Sequence, residues 1–252
     1  MNKTVLITGA ARGIGAELTN LYLNDRWDVI ALDRIDFDES SHGVDTKIYK
    51  YICDLSEEGR LKVYENISRN HQVDLVIANA GIGGLNPGYD FSTDLNRKFF
   101  EVNFFSVVDL IHVFSHKMKK NKFGQFAIIS SLASFRGMPQ AASYSSSKSA
   151  LNKLIESFRV DFLEHGITFT NVMPGFVKTD MTNHSEFSMP FTVNVKKAAQ
   201  EIKWAIDKKK QNHYFPKIMA FLSYFNLLLP SVIFTFFMGK FVSRPNKEPK
   251  SF

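Results

Sequence analysis

Short apolar runs of strand length alternate with helix-length segments along most of this chain, and that alternation leaves few folds open. Val5–Thr8, Val29–Asp33, Lys47–Cys53, Val73–Asn79, Gln125–Ser131, Thr168–Val172 and Tyr214–Phe215 read as strands. Helices are expected between them, near 14–25, 56–70, 96–120, 142–165 and 195–209. A strand, a helix and a second strand close a right-handed crossover, so the strands should lie parallel in one buried sheet with helices on both faces. No solenoid-period repeat, low-complexity block or Pro/Gly/Ser linker divides the first 215 residues. The expectation is one α/β domain over 1–216, a doubly wound parallel sheet of about seven strands, followed by a hydrophobic appendage over 217–252.

The first strand runs straight into Thr8-Gly9-Ala10-Ala11-Arg12-Gly13-Ile14-Gly15, and a helix follows. Glycines let the backbone turn tightly and approach a pyrophosphate with no Cβ in the way. The helix start then offers free N–H groups and the positive end of its dipole. This is the phosphate end of a Rossmann fold, and it points to a dinucleotide. Asp33 lies 18 residues after Gly15, at the end of the second strand. A carboxylate there accepts bonds from ribose hydroxyls and repels a 2′-phosphate, which favours NAD. Arg12 and Arg34 leave NADP open, because either guanidinium can meet a 2′-phosphate.

Further along stand Asn79-Ala80-Gly81, Asn103, Ser131, Tyr144 and Lys148, then Pro174-Gly175-Phe176-Val177-Lys178-Thr179. With the glycine loop, this set resembles the short-chain dehydrogenase/reductase family in its compact branch, from residue 3 to about 216. Tyr144 and Lys148 have that family's Y-x-x-x-K form, and Ser131 precedes Tyr144 by 13 residues. The resemblance implies oxidation of an alcohol or reduction of a ketone by hydride transfer. It also implies cofactor contacts from Gly9, Arg12, Gly13, Ile14, Gly15, Asp33 and Arg34, and from Asp54 and Leu55 beside the adenine. Asn79, Ala80 and Gly81 would lie beside the adenosine, with Pro174, Gly175, Val177 and Thr179 around the nicotinamide. Tyr144 and Lys148 would touch the cofactor too, and Asn103 would hold a water linking Lys148 to solvent. A homodimer or homotetramer through the helices at 96–120 and 142–165 is a further implication.

The chemistry suits these residue types. Reduction of a ketone develops charge on its oxygen, which needs a proton donor and a stabilising hydrogen bond. Tyr144 and Lys148 are four apart, so they share a helix face. A phenol ionises near pH 10, and a move to about 7 takes about 4 kcal/mol of preferential stabilisation. A neighbouring ammonium and a positively charged nicotinamide ring both act in that direction. Ser131, at the end of a strand, can donate to the substrate oxygen. His112, His116, His165, His184 and His213 have no metal-ligand spacing, and no metal is expected.

Composition bears on the surroundings. Cys53 is the sole cysteine, so no internal disulfide forms and a reducing compartment fits. Met1-Asn2-Lys3 leads directly into the first strand, which reads as no signal peptide and a cytoplasmic protein. The net charge of +6 is uneven: Lys196–Phe252 holds 11 Lys/Arg against 3 Asp/Glu, which leaves the first 195 residues at −2. That argues against nucleic acid and makes an anionic membrane surface a candidate partner. The chain has 24 Phe, read either as a generous core or as a surface that meets lipid.

Two segments bear on the substrate. Residues 180–195, with Met181, Phe187, Met189 and Phe191, occupy the family's substrate-loop position and favour an apolar, lipid-like molecule. Ile218–Gly239 is 22 residues without a charge, interrupted by Pro230. Proline breaks a helix there, so two short amphipathic helices near 217–228 and 231–242 are expected in one leaflet. A spanning helix, and a tail buried against the domain or a second subunit, are the alternatives. Lys208, Lys209, Lys210, Lys240, Arg244, Lys247 and Lys250 are read as headgroup contacts. Two other functions stand beside the dehydrogenase reading. One is a non-catalytic dinucleotide sensor or partner protein on the same fold. The other is a reductase of small polar metabolites whose tail serves dimerisation.

Overall fold

The structure, a computed structural model, describes residues 2–36, 45–179 and 191–241. Its strands are β1 (Thr4–Thr8), β2 (Asp28–Asp33), β3 (Ile48–Ile52), β4 (Leu75–Ala78), β5 (Gly124–Ile129), β6 (Ile167–Pro174), β7 (Val177–Lys178), β8 (Val193–Asn194) and β9 (Asn212–Phe215). The helices are α1 (Gly13–Asn24), α2 (Arg60–Asn70), α3 (Thr93–Phe100), α4 (Ser106–Asn121), α5 (Ala142–Asp161), α6 (Val195–Asp207), α7 (Lys217–Leu228) and α8 (Ser231–Phe241). Seven strands form one parallel sheet in the order β3-β2-β1-β4-β5-β6-β9. All seven expected strands are present, and each keeps its place in the alternation. β7 and β8 add a small parallel pair that the apolar runs were too short to signal.

The central strands are apolar on both sides because both faces are covered. On one face Val5, Ile7, Val29 and Ala31 pack against Leu18 and Tyr22 of α1 and Ala198 and Ile202 of α6. On the other, Leu6, Ile30, Val76 and Ile128 meet Tyr64 of α2, Leu110 and Phe114 of α4, and Leu151 of α5. The expected helix over 96–120 is divided. Ser92 caps α3 by accepting from the Leu95 N–H at 3.1 Å, and a π-helical turn over Glu101–Phe105 separates α3 from α4. The expected helix over 142–165 ends at Asp161, followed by a 3-10 turn at Leu163–His165.

Strand polarity then places everything else. Gly9–Gly15, Asp33, Asp54, Asn79–Gly81, Ser131 and Gly175 all lie at or just beyond the carboxyl ends of parallel strands, on one edge of the sheet. The tail starts there too, directly after β9. The tail's expected helices form, separated by Leu229-Pro230, and no described helix is long and apolar enough to cross a membrane. One expectation is corrected. Lys208, Lys209 and Lys210 precede β9, so they lie at the amino edge of the sheet, opposite the tail; Lys209 Nζ sits 6.0 Å from the ring centroid of Phe123, just before β5. Exposed lysines on the tail's edge are instead Lys178, Lys196, Lys197 and Lys217. The side chain of Lys240, and Arg244, Lys247 and Lys250, lie outside the described residues, as do His184, Met181, Phe187 and Met189 of the substrate loop.

Candidate functional site

The sheet reverses its winding between β1 and β4, and an open α/β sheet binds its ligand at that crevice. Gly9 turns there with φ +68°, and a Cβ on it would lie 3.0 Å from the Ala80 Cα. A Cβ on Gly15 would lie 1.9 Å from the Gly9 carbonyl oxygen, so α1 can pack this close to the loop only with glycine. The buried Thr8 hydroxyl oxygen accepts from the N–H groups of Asn79 at 3.1 Å and Ala80 at 3.0 Å. The Asn79 amide donates back to the carbonyls of Thr8 at 3.0 Å and Gly9 at 3.2 Å. Asn79-Ala80-Gly81 is thus tied to the glycine loop across the crevice.

Asp33 stands at the end of β2, bonded to the glycine loop. Its Oδ2 accepts from the Ala11 N–H at 2.9 Å and its Oδ1 from the Arg34 N–H at 2.7 Å. Two oxygens with about four acceptor positions between them retain capacity for ribose hydroxyls. Asp54 accepts from the Ser56 N–H at 2.8 Å and hydroxyl at 2.7 Å; these bonds, helped by the nearby Arg34 guanidinium, hold its carboxyl below the usual range. Leu55 and Val177 send their side chains into the core. Arg12 is exposed at the start of α1, whose first turn has no side-chain cap. Thr179 reaches across to Gly13, its Cγ2 being 3.7 Å from where a Cβ on that residue would stand. A glycine-lined crevice, a helix start open to an anion and an acid at the end of β2 fit a dinucleotide.

Ser131, Tyr144 and Lys148 meet beyond the end of β5. Ser131 caps a 3-10 turn over Leu132–Ser134, its hydroxyl oxygen accepting from the Ala133 N–H at 3.1 Å. The same hydroxyl is hydrogen-bonded to Tyr144 in the first turn of α5. Burial pushes the Tyr144 phenol up, and the bond with Ser131 pulls it part of the way back. Lys148, one turn on, is buried and donates to the Ile129 carbonyl at 2.8 Å; burial pushes its ammonium down to about 8. Burial therefore disfavours the phenolate and the ammonium alike and moves the two titrations apart, Tyr144 upward and Lys148 downward. Asn103, fully buried in the π-helical turn, accepts from the Ile82 N–H at 2.9 Å and donates to the Ile82 carbonyl at 3.0 Å and the Ser147 hydroxyl at 3.1 Å. A Cβ on Gly81 would lie 3.1 Å from Asn103 Oδ1 and 3.4 Å from Lys148 Nζ, so Gly81, Asn103 and Lys148 share one small space.

Beside Ser131 lies an apolar cluster that the motifs did not reveal. Leu132, Met173 and Ala220 form a small buried cluster with Phe135, Tyr214 and Met219 packed on it. Met219 of α7 is close to Gly175, where an added Cβ would come within 2.8 Å of its sulfur. Phe135, Tyr214 and Tyr224 cluster in tilted and edge-on contacts around the foot of α7, with centroids 4.8–5.6 Å apart. One face of the tail is thus packed on the domain, as the burial alternative held. Its other face is open: Leu228 and Val232 are each 82% exposed and Phe221 70%.

Two supporting residues were also missed. Phe99 sets its ring edge-on to Tyr144 at 6.4 Å. Asn86, 1% exposed, joins the β4–α3 loop to the start of α5 through Ser92 and the Ser143 hydroxyl at 2.9 Å. Neither belongs to a spaced motif, and only their burial beside Tyr144 marks them. Among the described residues, no group of three or more His, Cys, Asp or Glu is placed to hold a metal ion. His116 instead hydrogen-bonds the His112 carbonyl at 2.8 Å.

Comparison with known proteins gives the family and the fold. The family model for short chain dehydrogenases matches residues 3–188. The 7alpha-hydroxysteroid dehydrogenase of Escherichia coli (strain K12) is 31% identical over 186 residues, covering 71% of this chain and 72% of its own. The Epidermal retinol dehydrogenase 2 of Homo sapiens is 30% identical over 241 residues, covering 90% of this chain and 78% of its own. Among solved structures, a short chain dehydrogenase from Burkholderia cenocepacia J2315 in complex with NADP has the same fold. It superposes with a TM-score of 0.80 at 21% identity, over 96% of this chain and 98% of its own.

Proposed function

The chain belongs to the short-chain dehydrogenase family, and from that premise we propose that it interconverts a ketone and a secondary alcohol on an apolar, lipid-like molecule while resting on a membrane surface. It is an NAD(P)-dependent oxidoreductase of CH–OH and C=O groups. The bound nicotinamide supplies or accepts the hydride. Tyr144 gives the proton to the substrate oxygen in reduction and takes it in oxidation. Ser131, whose oxygen already accepts from Ala133, donates its own proton to the same oxygen. Lys148 holds a positive charge beside the phenol and binds the nicotinamide ribose. Asn103 fixes α5 against the Ile82 loop and serves the proton path from Lys148 to solvent. Asp33 favours NAD over NADP, with Arg34 as its competitor.

One observation carries the substrate reading: α7, whose Met219 and Ala220 pack with Leu132 and Met173 next to Ser131 and Gly175, carries exposed apolar side chains at Phe221, Leu222 and Phe225. The named activities of the two relatives, on a hydroxysteroid and a retinol, support it. Burying six large side chains such as Phe221, Leu228, Val232, Ile233, Phe236 and Phe237 in lipid is worth on the order of 9–18 kcal/mol before ordering costs. Lys178, Lys196, Lys197 and Lys217, on the same edge, suit an anionic surface. Residues 217–252 are then a docking appendage to a domain of 1–216, and copies of the chain pair through α4 and α5. Cofactor consumption across fatty, sterol and acyl carbonyls, with and without anionic vesicles, tests this reading. Turnover should be highest on the apolar carbonyls and rise with vesicles. Faster turnover of small polar carbonyls, indifferent to vesicles, would overturn it.

A further inference from the structure

Arg136 stands between Ser131 and α5 and reaches into the tail. Its Nη1 donates to the Leu229 carbonyl at 2.8 Å and also to the Asn226 carbonyl. Both carbonyls belong to the end of α7, where the Asn226 carbonyl also accepts from the Leu229 N–H at 3.3 Å. The guanidinium carbon lies 4.0 Å from the ring centroid of Phe234 in α8, where a cation is attracted to the ring face. One partly buried planar cation thus grips both tail helices. Behind it, the turn is bound to the catalytic residues. The Ser134 hydroxyl donates to the Ser131 carbonyl at 2.5 Å and accepts from the Asn152 amide at 2.6 Å, and the Ser134 carbonyl accepts from the Ser149 hydroxyl at 2.6 Å. Both Asn152 and Ser149 belong to α5, the helix of Tyr144 and Lys148.

We infer that Arg136 is a positioning residue that couples the tail to Ser131, so that an anionic lipid surface under α7 and α8 orders the turn that presents the Ser131 hydroxyl. This deepens the membrane reading above and rests on it. A surface that holds both helices at a fixed angle also holds the two carbonyls and the ring that Arg136 needs. The fully bonded guanidinium then restrains the 132–136 turn. The Leu229 N–H alone, which caps the end of α7 locally, would transmit nothing to the turn after Ser131. Here Leu229, in extended backbone just after α7, is followed by Pro230, and Arg136 adds to that local cap a cation from the turn after Ser131.

Hydrogen exchange on the full chain reads this directly, because the Ala133, Ser134 and Phe135 amides all bond within the turn, to Ser131 or Leu132. The surface is a vesicle of equal parts phosphatidylcholine and phosphatidylserine. In the wild type, vesicles should slow these three amides on the order of tenfold. In Arg136→Gln they should exchange on the order of tenfold faster without lipid, and no longer respond to it. Vesicle flotation, NADH binding and the amides of β4 should stay unchanged in that variant. Phe234→Leu, which keeps the apolar surface and removes only the ring, should lose part of the response and guards against a misfolded Arg136 variant. A lipid response of the turn in Arg136→Gln equal to the wild type's overturns the coupling. So does a wild type that floats with its turn unmoved. A full-length chain that fails to float overturns the membrane reading instead; the lipid-free comparison of Arg136→Gln with wild type then decides whether Arg136 positions the turn.

Discussion

Lys148 should make the cofactor-free protein more stable as the pH rises. Its ammonium is 4% exposed, and burial takes it from 10.5 down to about 8. Between those values the unfolded chain keeps a proton that the folded chain has released, so folding gains stability with increasing pH. The gap is about 2.5, which corresponds to a penalty of about 3.4 kcal/mol well below pH 8, at 1.36 kcal/mol for each factor of ten. About 2.5 kcal/mol of that should be recovered between pH 7 and pH 10. The perturbation is Lys148→Met, which keeps length and removes the charge. Urea unfolding of wild type and variant across that range isolates the residue, because every other titration is common to both. The stability of the wild type relative to the variant should climb by about 2.5 kcal/mol, several degrees in Tm for a domain of this size. NADH affinity of the wild type should move the other way and fall above pH 8, since the ribose is met by the ammonium. A stability difference that stays flat would mean that Nζ is solvated through the crevice. The claim that burial lowers the Lys148 ammonium would then fail.

Three further outcomes follow from the site. Tyr144→Phe should abolish turnover while the NADH dissociation constant, from fluorescence titration, stays within about twofold, because only the proton donor is lost; a tenth of wild-type activity remaining would show that another group is the acid. Asp33→Ser should move the measured preference from NADH towards NADPH, and tighter NADPH binding by the wild type would show that Arg12 and Arg34 already outweigh the carboxylate. Replacing Phe221, Val232 and Phe236 together by Glu should stop flotation with anionic vesicles while NADH binding persists, since none of the three is in the buried cluster under α7; undiminished flotation would place the lipid contact elsewhere.

The parts of this molecule that were legible in the sequence share a physical reason. A buried parallel strand needs an unbroken apolar run, and a glycine loop needs glycine where Cβ would strike backbone, so β1, the loop and α1 are written in residue types alone. Tyr144 and Lys148 are legible because helix spacing brings them together without knowledge of the sheet. The π-helical turn at Glu101–Phe105 is different. Nothing in Glu101-Val102-Asn103-Phe104-Phe105 opposes an ordinary helix, and the turn is held by tertiary bonds. Asn103 is pinned to Ile82 and Ser147 within it. Arg60 of α2 bonds both Glu101, at 2.9 Å, and Asp109, at 2.7 Å, across it. Partners 21 to 49 residues away leave no local trace.

Charge misleads for a related reason. Lys208-Lys209-Lys210 and the apolar run from Ile218 are eight residues apart, and their proximity in sequence suggests one basic, lipid-seeking unit. A strand lies between them. β9 pairs parallel with β6, so the chain enters it at the amino edge of the sheet and leaves at the carboxyl edge. Four extended residues at about 3.3 Å each are enough to separate the two features to opposite ends of the molecule. The lysines that do share the tail's edge come from β7, the start of α6 and the start of α7, and are brought together by parallel strand polarity rather than by sequence proximity. The same polarity puts Arg136, just beyond β5, beside helices that follow β9. The turn after Ser131 and the apolar tail therefore meet at one edge.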